Sequence, residues 1–312
     1  MSRPSALPLP RPNSMGAWIL AARPKTLPVG IAPIIVGIAV AYTSSAEPIQ
    51  YPIAAVCLVT ALLLQILSNL ANDFYDFKKG ADNDDRLGPP RAMQQGLITH
   101  FRMRVALVVV SFLAMATGSV LVWHGGWPYV VLGIMAVLCA IVYTGGPFPL
   151  GYNGLGDIFV FVFFGLVAVV GTTQLCGKSV SAPFGIPVIA WPAACAMGLL
   201  AMNLLVVNNV RDELQDRQHG KKTVVARWGK RFGIAQYAFG LFFAYVCVGL
   251  IASLTQNHWV FLTGAIAPIG IHNFRRLTVL EGKMLNDVLA KTAMFTFLFG
   301  GVLALALVVP RV

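Results

Sequence analysis

The sequence predicts an all-α integral membrane protein, and three observations carry that prediction. Of the 312 residues, 57% are hydrophobic and only 11% are charged, against about 25% charged in a soluble domain. The apolar runs are roughly 17–22 residues long, which suits helices crossing a hydrocarbon layer. No ten-residue segments of alternating polarity recur, so the pattern is not that of an outer-membrane barrel.

Nine spans are expected, at about 27–44, 51–72, 103–123, 128–144, 156–174, 187–209, 234–254, 259–274 and 289–309. The eighth is the shortest. The Pro-rich opening, residues 1–25, has no apolar run before the first span and reads as a flexible cytoplasmic tail, not a cleaved signal. Residues 26–312 then form a single transmembrane domain. The connections after odd-numbered spans are short and nearly uncharged, such as WHGGWP and TQNH. Those after even-numbered spans are long and polar. Together with the opening segment they hold 21 of the 23 Lys and Arg. The positive-inside rule therefore places the N-terminus in the cytoplasm and the C-terminus outside, in a cell inner membrane. In such a chain the +11 charge reports topology before any nucleic-acid partner, and none is expected. The five cysteines are scattered, without CxxC or a Cys/His cluster, and read as small packing residues.

Span 2 ends in SNLANDFYDFKKGADNDDR, residues 68–86. On a helix, Asn72 and Asp76 are i, i+4, and Asp73 and Asp76 are i, i+3, so each pair shares a face. Span 6 ends in NNVRDELQD, in which Asn208, Asp212 and Asp216 form one stripe. The two patterns match at an offset of 136 residues, a weak internal repeat that would set the segments facing each other across a cavity. They hold eight of the chain's twelve acidic residues, Asp82, Asp84, Asp85 and Glu213 included. Like charges so spaced destabilise a helix unless a cation lies between them.

Carboxylate and amide oxygens at a membrane interface suit Mg²⁺, which binds through one or two carboxylates plus substrate phosphates. The metal ligands expected are Asn72, Asp73, Asp76, Asn208, Asp212 and Asp216. The neighbouring Lys78, Lys79, Arg91, Lys221 and Lys222 would meet phosphate oxygens. A diphosphate whose tail lies among membrane lipid would explain a site at helix ends. A cation transporter is the rival of a different class. Its site would lie nearer the bilayer midplane, and the outer half of each span is almost free of ionisable residues.

These residues resemble the UbiA-type superfamily of intramembrane aromatic prenyltransferases. The likeness covers nearly the whole chain. Within the superfamily it is narrowest toward the branch acting on 1,4-dihydroxy-2-naphthoate in menaquinone biosynthesis. Four stretches carry that likeness: 23–37, 68–99, 143–157 (YTGGPFPLGYNGLGD) and 208–229. The third has no Lys or Arg, where the 4-hydroxybenzoate branch usually has Lys-Arg; 4-hydroxybenzoate and homogentisate remain the alternative acceptors. The resemblance implies about nine helices around a central cavity. It also implies transfer of a polyprenyl chain from polyprenyl diphosphate, with loss of CO₂ and pyrophosphate. Asp73, Asp76, Asp212, Asp216, Tyr143 and Asp157 would be catalytic. Arg23, Gln94, Gln95 and Tyr143 would meet the acceptor. Phe159, Phe161, Phe163 and Phe164 could shield an allylic cation, although Phe on a membrane helix ordinarily serves packing.

Overall fold

The computed structural model describes residues 9–80, 86–177 and 185–309. The chain is a multi-pass bundle, and no strand occurs among the described residues. Its α-helices are α1 (Met15–Ala22), α2 (Leu27–Ser44), α3 (Tyr51–Lys78), α4 (His100–Gly125) and α5 (Trp127–Val142). Next come α6 (Gly156–Val160) and α7 (Gly171–Cys176), joined by a π-helical segment, Phe161–Val170. The rest are α8 (Ala190–Gln218), α9 (Val224–Trp228), α10 (Lys230–Thr255), α11 (Ala267–Val279) and α12 (Leu285–Val308). Seven helical segments are long and apolar enough to cross a membrane. The other two expected spans differ. α5 has 16 residues, and the eighth is a 3₁₀ stretch, His258–Ile266, joined to the 13-residue α11.

Within the stretch expected as a tail, Met15–Ala22 is helical. Ser14 caps α1 by accepting from the Ala17 amide, and Ala17 and Ala21 pack against Leu70, Phe74 and Met103. A short apolar segment thus finds a partner in α3 that its own length does not announce.

α8 lies at the centre, packed on α10, α12, α2 and the π segment. Its small residues permit this. A β-carbon on Gly165 would stand 2.6 Å from the Ala194 carbonyl oxygen and 2.9 Å from Gly198 Cα. Close helix approach through small residues is how membrane helices gain dispersion contacts without a hydrophobic driving force. The main core follows the same contact, with Val36, Val169, Met197, Ile251 and Phe299 buried around it. α4 lies at the margin, burying only Met103 and Ala114, with Val108, Phe112 and Met115 exposed.

α3 and α8 run past their expected ends, to Lys78 and Gln218. At 1.5 Å per residue each is ~42 Å long, about 12 Å more than the hydrocarbon layer. Their acidic segments are therefore extra helical turns at one end of the bundle. Both are stopped by glycine in the left-handed region, Gly80 at φ 70 and Gly220 at φ 69, which suits a residue just past a helix end. The chain enters at this polar end, where Asn69 Nδ2 donates to the Ala22 carbonyl. It leaves at the other, where Asn257 Nδ2 donates to the Ala306 carbonyl.

Replacing Gly165 by valine should lower bundle stability by about 1–3 kcal/mol, because the obstructing atoms are backbone. Thermal unfolding of the detergent-purified variant, followed by size-exclusion chromatography, measures this. An unchanged midpoint would show that the π segment and α8 do not need their close approach.

Candidate active site

A cavity of about 1110 Å³ opens at the polar end of the bundle and runs down between α2, α3, α5, the π segment, α8 and α12. Both acidic segments reach it: Asn72, Asp76, Asn208, Asp212 and Asp216 all line it. The expected pairing of the two segments across one space is what the bundle produces.

Asp76 is 4% exposed. Its Oδ2 accepts from Arg91 Nη2 at 2.8 Å, and its Oδ1 accepts from the Tyr152 hydroxyl at 2.8 Å. Asn72 Oδ1 accepts from the Thr144 hydroxyl at 2.9 Å. Asp216 meets Lys221 Nζ at 3.5 Å. Asp212 is gripped by Arg211, Nε to Oδ1 at 2.7 Å and Nη2 to Oδ2 at 2.6 Å. Each of these carboxylates, Asp76 and Asp216 buried and Asp212 half-buried, thus meets a cation, as the desolvation cost requires.

Asp73 differs. It is 1% exposed but does not line the cavity. Its carboxylate accepts from the Ala92 amide at 3.1 Å and the Met93 amide at 3.3 Å. The i, i+3 spacing gave Asp73 and Asp76 one face, yet the loop after α3 folds back and captures Asp73 from the side. Its geometry is that of a loop anchor. The three carboxylates of that loop, Asp82, Asp84 and Asp85, lie outside the described residues.

The expected phosphate-binding cations divide. Lys221 and Arg91 line the cavity. Lys79 donates to the Thr144 carbonyl at 2.6 Å and lies 4.3 Å from the Tyr152 ring centroid, while Lys221 lies 4.6 Å from the same centroid. Burial and the Lys221 charge pull the Lys79 ammonium below the ordinary lysine range against the opposing pull of Asp76. Lys78, Lys79 and Lys222 are exposed and do not line the cavity. The contact that Lys222 makes is a backbone one, its amide donating to the Tyr152 carbonyl at 2.7 Å.

Of the expected acceptor residues, Arg23 and Tyr143 line the cavity, and Gln94 and Gln95 do not. Arg23 Nη2 is buried and has no hydrogen-bond partner among the described residues, and the residue holds a left-handed backbone at φ 52. Strain at a residue aimed into a cavity motivates a functional role. Tyr143 is half-buried at the end of α5, and its phenol is a hydroxyl donor at neutral pH. Asp157 is buried beside the cavity and accepts from Gln236 Nε2 at 2.8 Å, which gives it a supporting place behind the wall.

Below the polar mouth the walls turn apolar, with Leu64, Leu132, Ala136, Val167 and Leu175. Phe159 and Phe163 stack at 6.1 Å between centroids and, with Phe164, face the space. Phe161 does not, because its ring lies against Gly198.

Sequence reasoning passed over Tyr152, Arg211 and Asn286, which all line the cavity. Tyr152 lay in the quoted 143–157 stretch. Arg211 sat inside the second acidic segment. Asn286 had no local signal.

The oxygen donors at the mouth fit a hard divalent cation. Among the described residues, no three His, Cys, Asp or Glu side chains form a closed cage. A metal at the mouth would therefore need phosphate oxygens to complete its ligands.

The comparisons with known proteins meet at the same point. The chain is 42% identical over 259 residues to the 1,4-dihydroxy-2-naphthoate octaprenyltransferase of Escherichia coli (strain K12), spanning 80% of this chain and 81% of that one. It is 34% identical over 300 residues to the protein so named in Haemophilus influenzae, spanning 94% and 96%. An apo structure of a UbiA homologue from Aeropyrum pernix K1 superposes with TM-score 0.69 at 12% identity, covering 89% of this chain and 97% of that one. A UbiA homologue from Archaeoglobus fulgidus bound to DMAPP and Mg²⁺ superposes with TM-score 0.63 at 14% identity, covering 92% and 99%. A model of the UbiA prenyltransferase family matches residues 30–299, and the chain belongs to that family.

Proposed function

We propose that this protein transfers a polyprenyl chain from polyprenyl diphosphate to 1,4-dihydroxy-2-naphthoate, releasing CO₂ and pyrophosphate and giving demethylmenaquinone. One observation carries the reading: a single cavity joins an arginine- and lysine-rimmed acidic mouth to an apolar, Phe-lined interior. A diphosphate head and a polyprenyl tail need those two environments next to each other. The names of the relatives and the Lys- and Arg-free stretch 143–157 favour the naphthoate acceptor.

The donor set and the metal-bound relative support Mg²⁺ at the mouth. There it would neutralise charge building on the departing pyrophosphate. Asp76, Asp212 and Asp216, with Asn72 and Asn208, are the residues that would hold it. Lys79, Lys221 and Arg91 stabilise the same developing charge with fixed donors. The Phe159–Phe163 stack excludes water and offers ring faces to the allylic cation. Arg23 faces the acceptor carboxylate, and the Tyr143 hydroxyl orients the acceptor ring. In the membrane, the basic polar end faces the cytoplasm of a cell whose inner membrane holds the single domain, 26–312.

Purified protein, given Mg²⁺, a polyprenyl diphosphate, 1,4-dihydroxy-2-naphthoate and 4-hydroxybenzoate together, should prenylate the naphthoate and release CO₂. Products are identified by mass. Prenylated hydroxybenzoate as the main product would move the protein to the other branch of the family.

The carboxylates should separate by role. Asp216→Asn should lower kcat by about 10²–10³-fold with little change in the melting midpoint, whereas Asp76→Asn, which leaves the buried Arg91 without its carboxylate, should lose activity and stability together. Asp73→Asn should lower stability by about 1–3 kcal/mol, because one of the two buried amides then faces an NH₂ donor in place of its acceptor. A stable but inactive Asp73→Asn would return Asp73 to the metal site.

A further inference from the structure

Asn208 and Asp212 face the cavity, yet a guanidinium already occupies their oxygens. Besides its two bonds to Asp212, Arg211 donates from Nη2 to Asn208 Oδ1 at 2.6 Å. Residues adjacent in a helix do not face one another, so the Arg211 side chain must bend back along α8 to reach Asp212. Asn286, at the start of α12, holds it there: its Oδ1 accepts from Arg211 Nη1 at 2.8 Å. The same amide donates from Nδ2 to the Leu87 carbonyl at 2.8 Å. One asparagine thus ties the guanidinium, the second acidic segment and the loop after α3 together. Arg211 is only 4% exposed.

We propose that Arg211 is a positioning residue of the diphosphate site. In the substrate-free protein its guanidinium stands in for the divalent cation on Asp212 and Asn208, and it yields those oxygens when metal and diphosphate arrive together. The proposal rests on the reading of the site as a metal–diphosphate site. The reason is charge accounting in a buried place. Bare carboxylate oxygens there cost several kcal/mol, so some cation must hold them between turnovers. A planar fork matches a carboxylate in two bonds. A metal arriving alone would displace the guanidinium and leave it buried with only the Asn286 amide oxygen as acceptor. A diphosphate brings new acceptor oxygens, so the displaced guanidinium is satisfied again. Metal and diphosphate therefore bind with positive coupling, each tightening the other. The pairing also keeps the acidic segments from collecting stray cations when no donor is present.

The test is Mn²⁺ binding to the full-length protein in detergent, read by electron paramagnetic resonance, with and without geranyl diphosphate and with no acceptor. Wild type should bind Mn²⁺ weakly alone and tightly with geranyl diphosphate. Arg211→Gln should bind Mn²⁺ alone about tenfold more tightly, with the coupling reduced by a similar factor, since the metal no longer has to displace a guanidinium from Asp212. Asn286→Ala keeps the guanidinium but frees it from its tether, and should shift Mn²⁺ affinity the same way by a smaller factor. It carries the test if Arg211→Gln does not fold. Lys25→Gln removes one exposed charge from the same rim without touching Asp212, and should shift affinity least. No tightening in Arg211→Gln or Asn286→Ala, or an equal shift in Lys25→Gln, overturns the proposal. Absence of Mn²⁺ binding in wild type even with geranyl diphosphate overturns the metal–diphosphate reading itself, and the proposal with it.

Discussion

A carboxylate removed from water at the end of a membrane helix costs several kcal/mol unless a cation meets it. Three cavity-facing carboxylates here meet that condition through side chains: Asp76 with Arg91, Asp212 with Arg211, and Asp216 with Lys221. The rest of the polar end follows from these pairs. Arg91 reaches Asp76 because the loop after α3 folds back, and Asp73 holds that loop by the Ala92 and Met93 amides. Arg211 reaches Asp212 because Asn286 of α12 turns it. The two acidic segments look alike in sequence but are pinned by different elements, one by a loop and one by a distant helix.

The apolar half obeys a different constraint. Inside a bilayer there is no hydrophobic gain in joining two helices, so contact must come from shape. Gly165 against Ala194 and Gly198 brings the π segment onto α8. That contact turns Phe159, Phe163 and Phe164 toward the cavity while Phe161 packs on Gly198. Four phenylalanines in one short stretch thus divide between lining and packing. π-helical turns often occur at functional sites because they rotate side chains relative to an α-helix, and here the rotation shapes the wall along which an apolar chain would lie.

The two environments meet at Tyr152. Its hydroxyl bonds Asp76, and its ring lies under two ammonium groups, Lys79 and Lys221. Its carbonyl accepts from the Lys222 amide, tying the loop after α5 to the loop after α8. A single residue outside both acidic segments therefore couples them. Solved homologues at 12–14% identity keep the overall fold, so the bundle tolerates wide change in its helices.

The sequence by itself determined the class of protein, most of the spans, and the polar end. Hydrophobic length and the placement of Lys and Arg are local and additive, so they are legible without coordinates. The spacing of Asn72 with Asp76, and of Asn208 with Asp212 and Asp216, also set these side chains on one face of each helix, and all five line the cavity, because i, i+4 positions share a helix face whatever the surroundings. The eighth expected span is not one continuous α-helix, because a 3₁₀ stretch and α11 share its apolar run. Tertiary structure alone decided which polar residues face the cavity. Asp73, Lys78, Lys79, Gln94, Gln95, Asp157 and Lys222 lie within a few residues of lining ones in the chain, yet do not line the cavity themselves. Asn286 lines it from 74 residues beyond Asp212. Spacing along one helix fixes direction relative to that helix only. Which loop or partner helix arrives to claim a carboxylate depends on contacts far apart in sequence, and no local pattern records them.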